Sequence, residues 1–105
     1  DAVVCLVTAP PDGAHDIAEA LVAKRLAACV NVVAGVSSVY RWEGAVRSEE
    51  EVVAFAKTTA ERLEALMARA AELHPYQVPC VVALHPAAAS PAYVDWVAGE
   101  VTEGG

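Results

Sequence analysis

The chain opens on an unbroken apolar run, Ala2-Val3-Val4-Cys5-Leu6-Val7-Thr8, closed by Ala9-Pro10-Pro11-Asp12-Gly13. A run of this kind predicts a central strand covered on both faces, then a sharp break. Asp12 is placed to cap the following helix, whose apolar positions Ile17, Ala18, Leu21, Val22 and Leu26 recur at helical spacing. Lys24 and Arg25 fall in its last turns, where cations suit the helix dipole. Cys29 to Val33, Gly35, and Val36 to Gly44 then predict one long strand bent at Gly35. Ser38, Tyr40 and Trp42 face one way along it, and Val39, Arg41 and Glu43 the other.

Gly44 turns the chain, and Glu51 to Lys57 is predicted as a third strand in hairpin with the second. Thr58 and Glu61 stand at capping-box spacing before a helix striped with Leu63, Leu66, Met67, Ala70 and Leu73. His74-Pro75 stops that helix, because the residue before a proline avoids helical angles. Tyr76 to Pro79 is a connector, and Cys80 to Leu84 is a fourth strand. Ser90 caps a last helix with Pro91 at its first position. The order β-α-β-β-α-β plus a short C-terminal helix predicts a single α+β domain over residues 1–105. Its expected architecture is the ferredoxin-like split βαβ fold, with both main helices on one face of an antiparallel sheet.

Composition adds a question about surface. Hydrophobic residues make up 56% of the chain, rich for a domain of 105 residues whose own core is thin. No apolar run approaches the roughly 20 residues of a membrane span. The surplus is either Ala-rich helix of little consequence or apolar surface that a partner subunit covers. Tyr40 and Trp42 favour the second reading: two large aromatics on one face of an edge-like strand are costly to leave wet. The pair is therefore a candidate oligomer interface.

Charge excludes some partners. Fourteen acidic against seven basic residues leave a formal −7, which repels nucleic acid and anionic membrane surfaces. The widely spaced cysteines, Cys5, Cys29 and Cys80, form no CxxC pair, so reduced thiols in a cytoplasmic protein are expected. The chain begins at Asp1 without an initiator Met, which suggests trimming, and nothing within it reads as a signal peptide.

The chemistry is sparse. There is no GxGxxG or Walker A loop, and the loop after the first strand has Pro10 and Pro11, which lack N–H donors, and no Arg to hold a phosphoryl group. His15, His74 and His85 form no local catalytic arrangement with Ser or Cys. Cys5 and Cys80 read as small buried strand residues, and Cys29 as packed at a helix-to-strand junction. For metal, Cys80 and His85 point to opposite faces of the fourth strand, whereas His74 can face a cleft near Cys80. The alternative for His74 is a helix-terminal residue bonding nearby carbonyls.

Several segments together resemble the CutA family. They are Val7-Thr8-Ala9-Pro10, Arg25 to Asn31, Ser38 to Gly44, Lys57-Thr58, His74-Pro75-Tyr76-Gln77-Val78-Pro79, Val82-Ala83-Leu84 and Tyr93-Val94-Asp95-Trp96. The resemblance implies a tight homotrimer related to the PII signalling proteins, and a non-enzymatic role in tolerance of copper and other divalent cations. It also implies copper ligands at positions that are Val7, Leu73 and His74 in this chain. Cys80 stands where many relatives have Glu, and His85 where they usually have Pro. A sulfur in place of an oxygen ligand shifts preference toward Cu(I) or zinc, so His74 and Cys80 are the candidate metal residues. The alternative is a PII-like sensor binding a small metabolite or nucleotide between subunits, with Lys57 and Tyr76 as cleft candidates.

Overall fold

The computed structural model describes residues 1–102. In chain order the elements are β1 (Ala2–Ala9), α1 (Ala14–Ala23), β2 (Cys29–Trp42), β3 (Ala45–Thr59), α2 (Ala60–Leu73), β4 (Val81–Leu84) and α3 (Pro91–Glu100). They build one antiparallel sheet in the order β2-β3-β1-β4, the split βαβ arrangement expected from the element order.

Alternation along β1 explains where the core sits. Val3, Cys5, Val7 and Ala9 are buried, while the residues between them are only half-buried. Register carries that parity across the sheet: Cys5 lies opposite Ala56 and Ala83, and Leu6 opposite Phe55 and Val82. Leu21 of α1 and Leu66 and Ala70 of α2 pack on Cys5, Val7 and Ala56, so both helices cover the same face. α3 returns to β3 and β1 and buries Val97 and Val101.

β1 is central, as expected, but it is covered on one face only. Val4, Leu6, Val53, Phe55, Val82 and Leu84 point the other way, and among the described residues no helix packs on that side. Val82 is 48% exposed and Leu84 44% exposed.

The long strand bends where expected. The β2–β3 register shifts between Val33 and Val36, and Gly35 at φ 78° supplies the left-handed residue of the bulge. Beyond it, pairing continues from Val36 opposite Glu51 to Trp42 opposite Ala45. Glu43 and Gly44, at φ 50° and 78°, close a two-residue hairpin turn of the type that matches strand twist. β1 ends opposite Val52, so Val36–Trp42 and Ala45–Glu51 form a two-stranded arm that runs past the rest of the sheet.

Several sequence expectations are corrected. The third strand begins at Ala45, not Glu51, and ends at Thr59. Cross-strand pairing in the arm, and not burial, holds the polar stretch Arg47 to Glu50 extended. Thr58 does not open a capping box: it lies in β3, fully buried, and α2 starts at Ala60 with Thr59 as an N-cap whose side chain makes no capping bond. Gly13, not Asp12, occupies the N-cap of α1. That helix ends at Ala23, so Lys24 is its C-cap and Arg25 lies beyond it at φ 59°. The Arg25 guanidinium instead donates to the Glu100 carbonyl at 3.2 Å. Ser90 does cap α3, its Oγ accepting the Tyr93 N–H at 3.4 Å.

The Thr58 hydroxyl is buried without a hydrogen-bond partner among the described residues. An unsatisfied buried hydroxyl carries its desolvation cost uncompensated, and valine has nearly the same shape. Thr58→Val should therefore raise stability by about 1 kcal/mol. Urea denaturation at fixed protein concentration checks this, and an unchanged or lower midpoint would show that the hydroxyl has a partner in solution.

Candidate functional site

The end of α2 organises the site. Pro75 forces His74 out of the helix into extended geometry, and the imidazole turns back onto β1. Its Nε2 lies 2.6 Å from the Thr8 carbonyl, and its Nδ1 accepts the Tyr76 N–H at 3.2 Å. An accepting Nδ1 places the neutral ring's proton on Nε2, which donates to Thr8. His74 is buried, and its ring packs on that of Tyr76 with centroids 4.6 Å apart. The residue thus pins the connector 75–80 to the end of β1, and the Thr8 N–H completes the seam by donating to the Cys80 carbonyl at 3.3 Å.

Pinned in this way, Tyr76 reaches the base of the arm. Its hydroxyl donates to Glu51 Oε2 at 3.0 Å. Glu51 is only 6% exposed, a buried carboxylate just past the last β1–β3 pair. One turn of the pleat further out, Tyr40 donates to Glu49 Oε1 at 2.5 Å across the hairpin. Tyr40, Trp42 and Ser38 share a face of β2, as their alternation predicts, and that face meets Arg47, Glu49 and Glu51 of β3. Together with the connector they enclose a pocket of about 540 Å³, with Cys80 at its wall.

The electrostatics follow from these contacts. Burial and the hydrogen bond to Glu51 push Tyr76 up to about 12, because both penalise the phenolate. The Glu49 hydrogen bond, with a smaller contribution from burial, raises Tyr40 as well. Cys5 is pushed up to about 11, chiefly by burial, and stays a protonated core thiol.

Of the residues singled out from sequence, Tyr40, Trp42, Tyr76 and Cys80 come together at this pocket. Lys57 does not. It sits on the open sheet face beside Val4, Phe55 and Leu84, where its ammonium donates to Asn31 Oδ1, the same oxygen approached by the Cys29 thiol at 3.7 Å. Cys80 is exposed, not the buried strand residue expected, because β4 begins only at Val81. His74 lies near Cys80, but both its ring nitrogens are already bonded, which is the carbonyl-bonding alternative raised from sequence. Among the described residues, no group of three or more His, Cys, Asp or Glu is placed to hold a metal ion. Glu49, Glu51 and Arg47 were missed. Their alternation Arg-x-Glu-x-Glu is the signal that finds them, once the third strand is taken back to Ala45.

Comparison with known proteins gives the family. The family pattern described as CutA1 divalent ion tolerance protein matches residues 3–100. The chain belongs to the CutA family. It is 46% identical over 95 residues to the divalent-cation tolerance protein CutA of Thermus thermophilus, covering 90% of this chain and 92% of that one. The crystal structure of CutA from Xylella fastidiosa superposes with a TM-score of 0.94 at 34% identity, covering 97% and 99% of the two chains. The structure of the PII-like protein CutA from a Nostoc species superposes with a TM-score of 0.91 at 37% identity, covering 95% and 97% of the two chains. Against mouse, human and Arabidopsis relatives the chain spans little more than half of the longer protein. No helix among the described residues is long and apolar enough to cross a membrane.

The Tyr76–Glu51 bond gives a pH prediction. A phenol whose folded pKa is raised contributes stability that is complete below its unfolded value and is lost as pH rises through the folded one. For Tyr76 that window runs from 10 to about 12. Wild-type protein should lose stability across it, and Tyr76→Phe should flatten that part of the profile while lowering stability at neutral pH. Chemical denaturation at stepped alkaline pH checks both, and identical slopes in the two proteins would show that the bond is not formed.

Proposed function

We propose that this chain acts as a cytoplasmic homotrimer in the cellular response to divalent metal ions, as a binding protein and not as an enzyme, with copper as the ion best matched to its donors. The observation that carries the assembly is the open sheet face: Leu6, Phe55, Val82 and Leu84 form a contiguous apolar surface that no element of the chain covers among the described residues. A second and third copy supply the missing layer. The count of three and the link to cation tolerance rest on membership of the CutA family, and the three unpaired cysteines suit a reducing compartment.

The metal contact in this reading is shared between subunits, since one chain does not assemble three ligands among its described residues. Cys80 supplies the open donor, a soft sulfur suited to Cu(I) or zinc. His74 joins it only by giving up its bond to Thr8 or to Tyr76.

Val82 and Leu84 are exposed in the single chain, so charges there spare its own core. Light scattering should give three chain masses for the wild type and one for Val82→Glu/Leu84→Arg with an unchanged circular dichroism spectrum. A wild type of one chain mass would overturn the assembly. Titration of reduced protein with Cu(I) should show binding that Cys80→Ser weakens at least tenfold. Equal binding by the two proteins would remove Cys80 from the site.

A further inference from the structure

The end of α1 carries a residue in a conformation that its type disfavours. Lys24 caps the helix, and Arg25 follows at φ 59°, in the left-handed region. The Arg25 N–H donates to the Val22 carbonyl and the Leu26 N–H to the Leu21 carbonyl, both at 3.0 Å. This doubly bonded helix ending usually has glycine at its left-handed position, because a Cβ there crowds the following carbonyl. Leu21 and Leu26, buried in the same core cluster, are placed to make the apolar contact that accompanies such an ending. Glycine would satisfy this turn without strain, so the arginine is explained by what its side chain and its carbonyl reach.

They reach across the fold. The Arg25 Nη1 donates to the Glu100 carbonyl at 3.2 Å, at the last residue of α3. The final carbonyls of a helix lack partners within it and form the negative end of its dipole, so a cation is suited there. α3 has no basic residue of its own in its last turn. The Arg25 carbonyl in turn accepts from Arg62 of α2, with Nε at 3.4 Å and Nη2 at 3.3 Å. One left-handed residue thus joins the ends of α1 and α3 to the first turn of α2. α3 has need of such a fastening. It is reached through residues 85–90, which form no helix or strand, and it packs on β3 and β1. It buries Val97 and Val101 but leaves Tyr93 and Trp96 exposed. Gly99, with open space where a Cβ would stand, weakens its last turn with no return in packing. Few buried side chains and a weak end are the features of an element that opens below the global unfolding.

We infer that α3 is a strap that undocks from the sheet on its own, and that Arg25 is its latch, a positioning residue whose strained backbone is held for that contact. This goes beyond the metal-ion role and does not depend on it.

Amide hydrogen exchange of the assembled protein, read by mass spectrometry on peptides from β1, α1 and α3, tests it. In the wild type, α3 should be protected at least tenfold less than the central strand β1. Arg25→Gly suits the left-handed position and keeps the fold, as circular dichroism would verify. It should lower the protection of α3 at least a further fivefold while leaving α1 as protected as before, or more so. Val97→Ala loosens the seat of α3 without touching the latch, and it too should lower protection in α3 and not in β1. A role in general stability alone would move all three elements together. The inference is overturned if wild-type α3 is protected as well as β1, or if Arg25→Gly leaves α3 unchanged. It is also overturned if α1 and α3 lose protection together in Arg25→Gly, or if Val97→Ala lowers protection evenly along the chain.

Discussion

An antiparallel sheet has two faces, and the described residues supply helices for one. That imbalance governs the molecule. The covered face is built from small residues as well as large ones: Ala27, Ala56 and Ala70 are buried beside Leu21, Leu26 and Leu66. Small side chains let α1 and α2 approach the sheet closely, giving a dense but thin core, as expected at this chain length. The other face remains apolar through Leu6, Phe55, Val82 and Leu84, so the single chain is an incomplete layer structure. Assembly in this account is the completion of the fold and not an addition to it.

The same sheet creates the site. β3 outruns β1 by the length of the arm, which frees Arg47, Glu49 and Glu51 from strand neighbours on one side. Glu51 falls at the point where three-stranded pairing gives way to two, and Tyr76 closes over it. Tyr76 holds that position because His74 is fixed at both ring nitrogens, between the Thr8 carbonyl and the Tyr76 amide. The His-Pro-Tyr run therefore acts as a clamp: proline ends the helix, histidine ties the exit to β1, and tyrosine delivers a hydroxyl to a buried carboxylate. A histidine held in this way is better suited to positioning than to coordination.

Much of the fold was legible because its signals are local. The apolar run of β1, the bend at Gly35, the stop at His74-Pro75 and the Ser90-Pro91 start each follow from one or two residues whose backbone preferences leave little choice. The arm was only half legible. Ser38, Tyr40 and Trp42 alternate visibly, but Ser38 and Tyr40 pair with Glu49 and Arg47 on β3, and a strand held by pairing and not by burial leaves no apolar period to read. The start of α2 differs for a related reason: Thr58 has the spacing of a cap, yet it lies inside β3, which runs to Thr59, and is fully buried there. Cys80 and Lys57 depended on where β4 begins and on which face β3 presents, both settled by register across the sheet. The resemblance to CutA supplied what no local signal carries, the expectation of three copies.

Hydroxyl-radical footprinting of the wild-type protein addresses the uncovered face most directly. Oxidation of Phe55 and Leu84 on the open sheet face is compared with that of Trp96, an exposed aromatic on α3. If copies of the chain complete the sheet, Phe55 and Leu84 are protected while Trp96 reacts as an exposed residue, and Val82→Glu/Leu84→Arg restores reactivity to Phe55. Wild-type Phe55 and Leu84 that oxidise as readily as their exposure in the single chain demands would contradict the account.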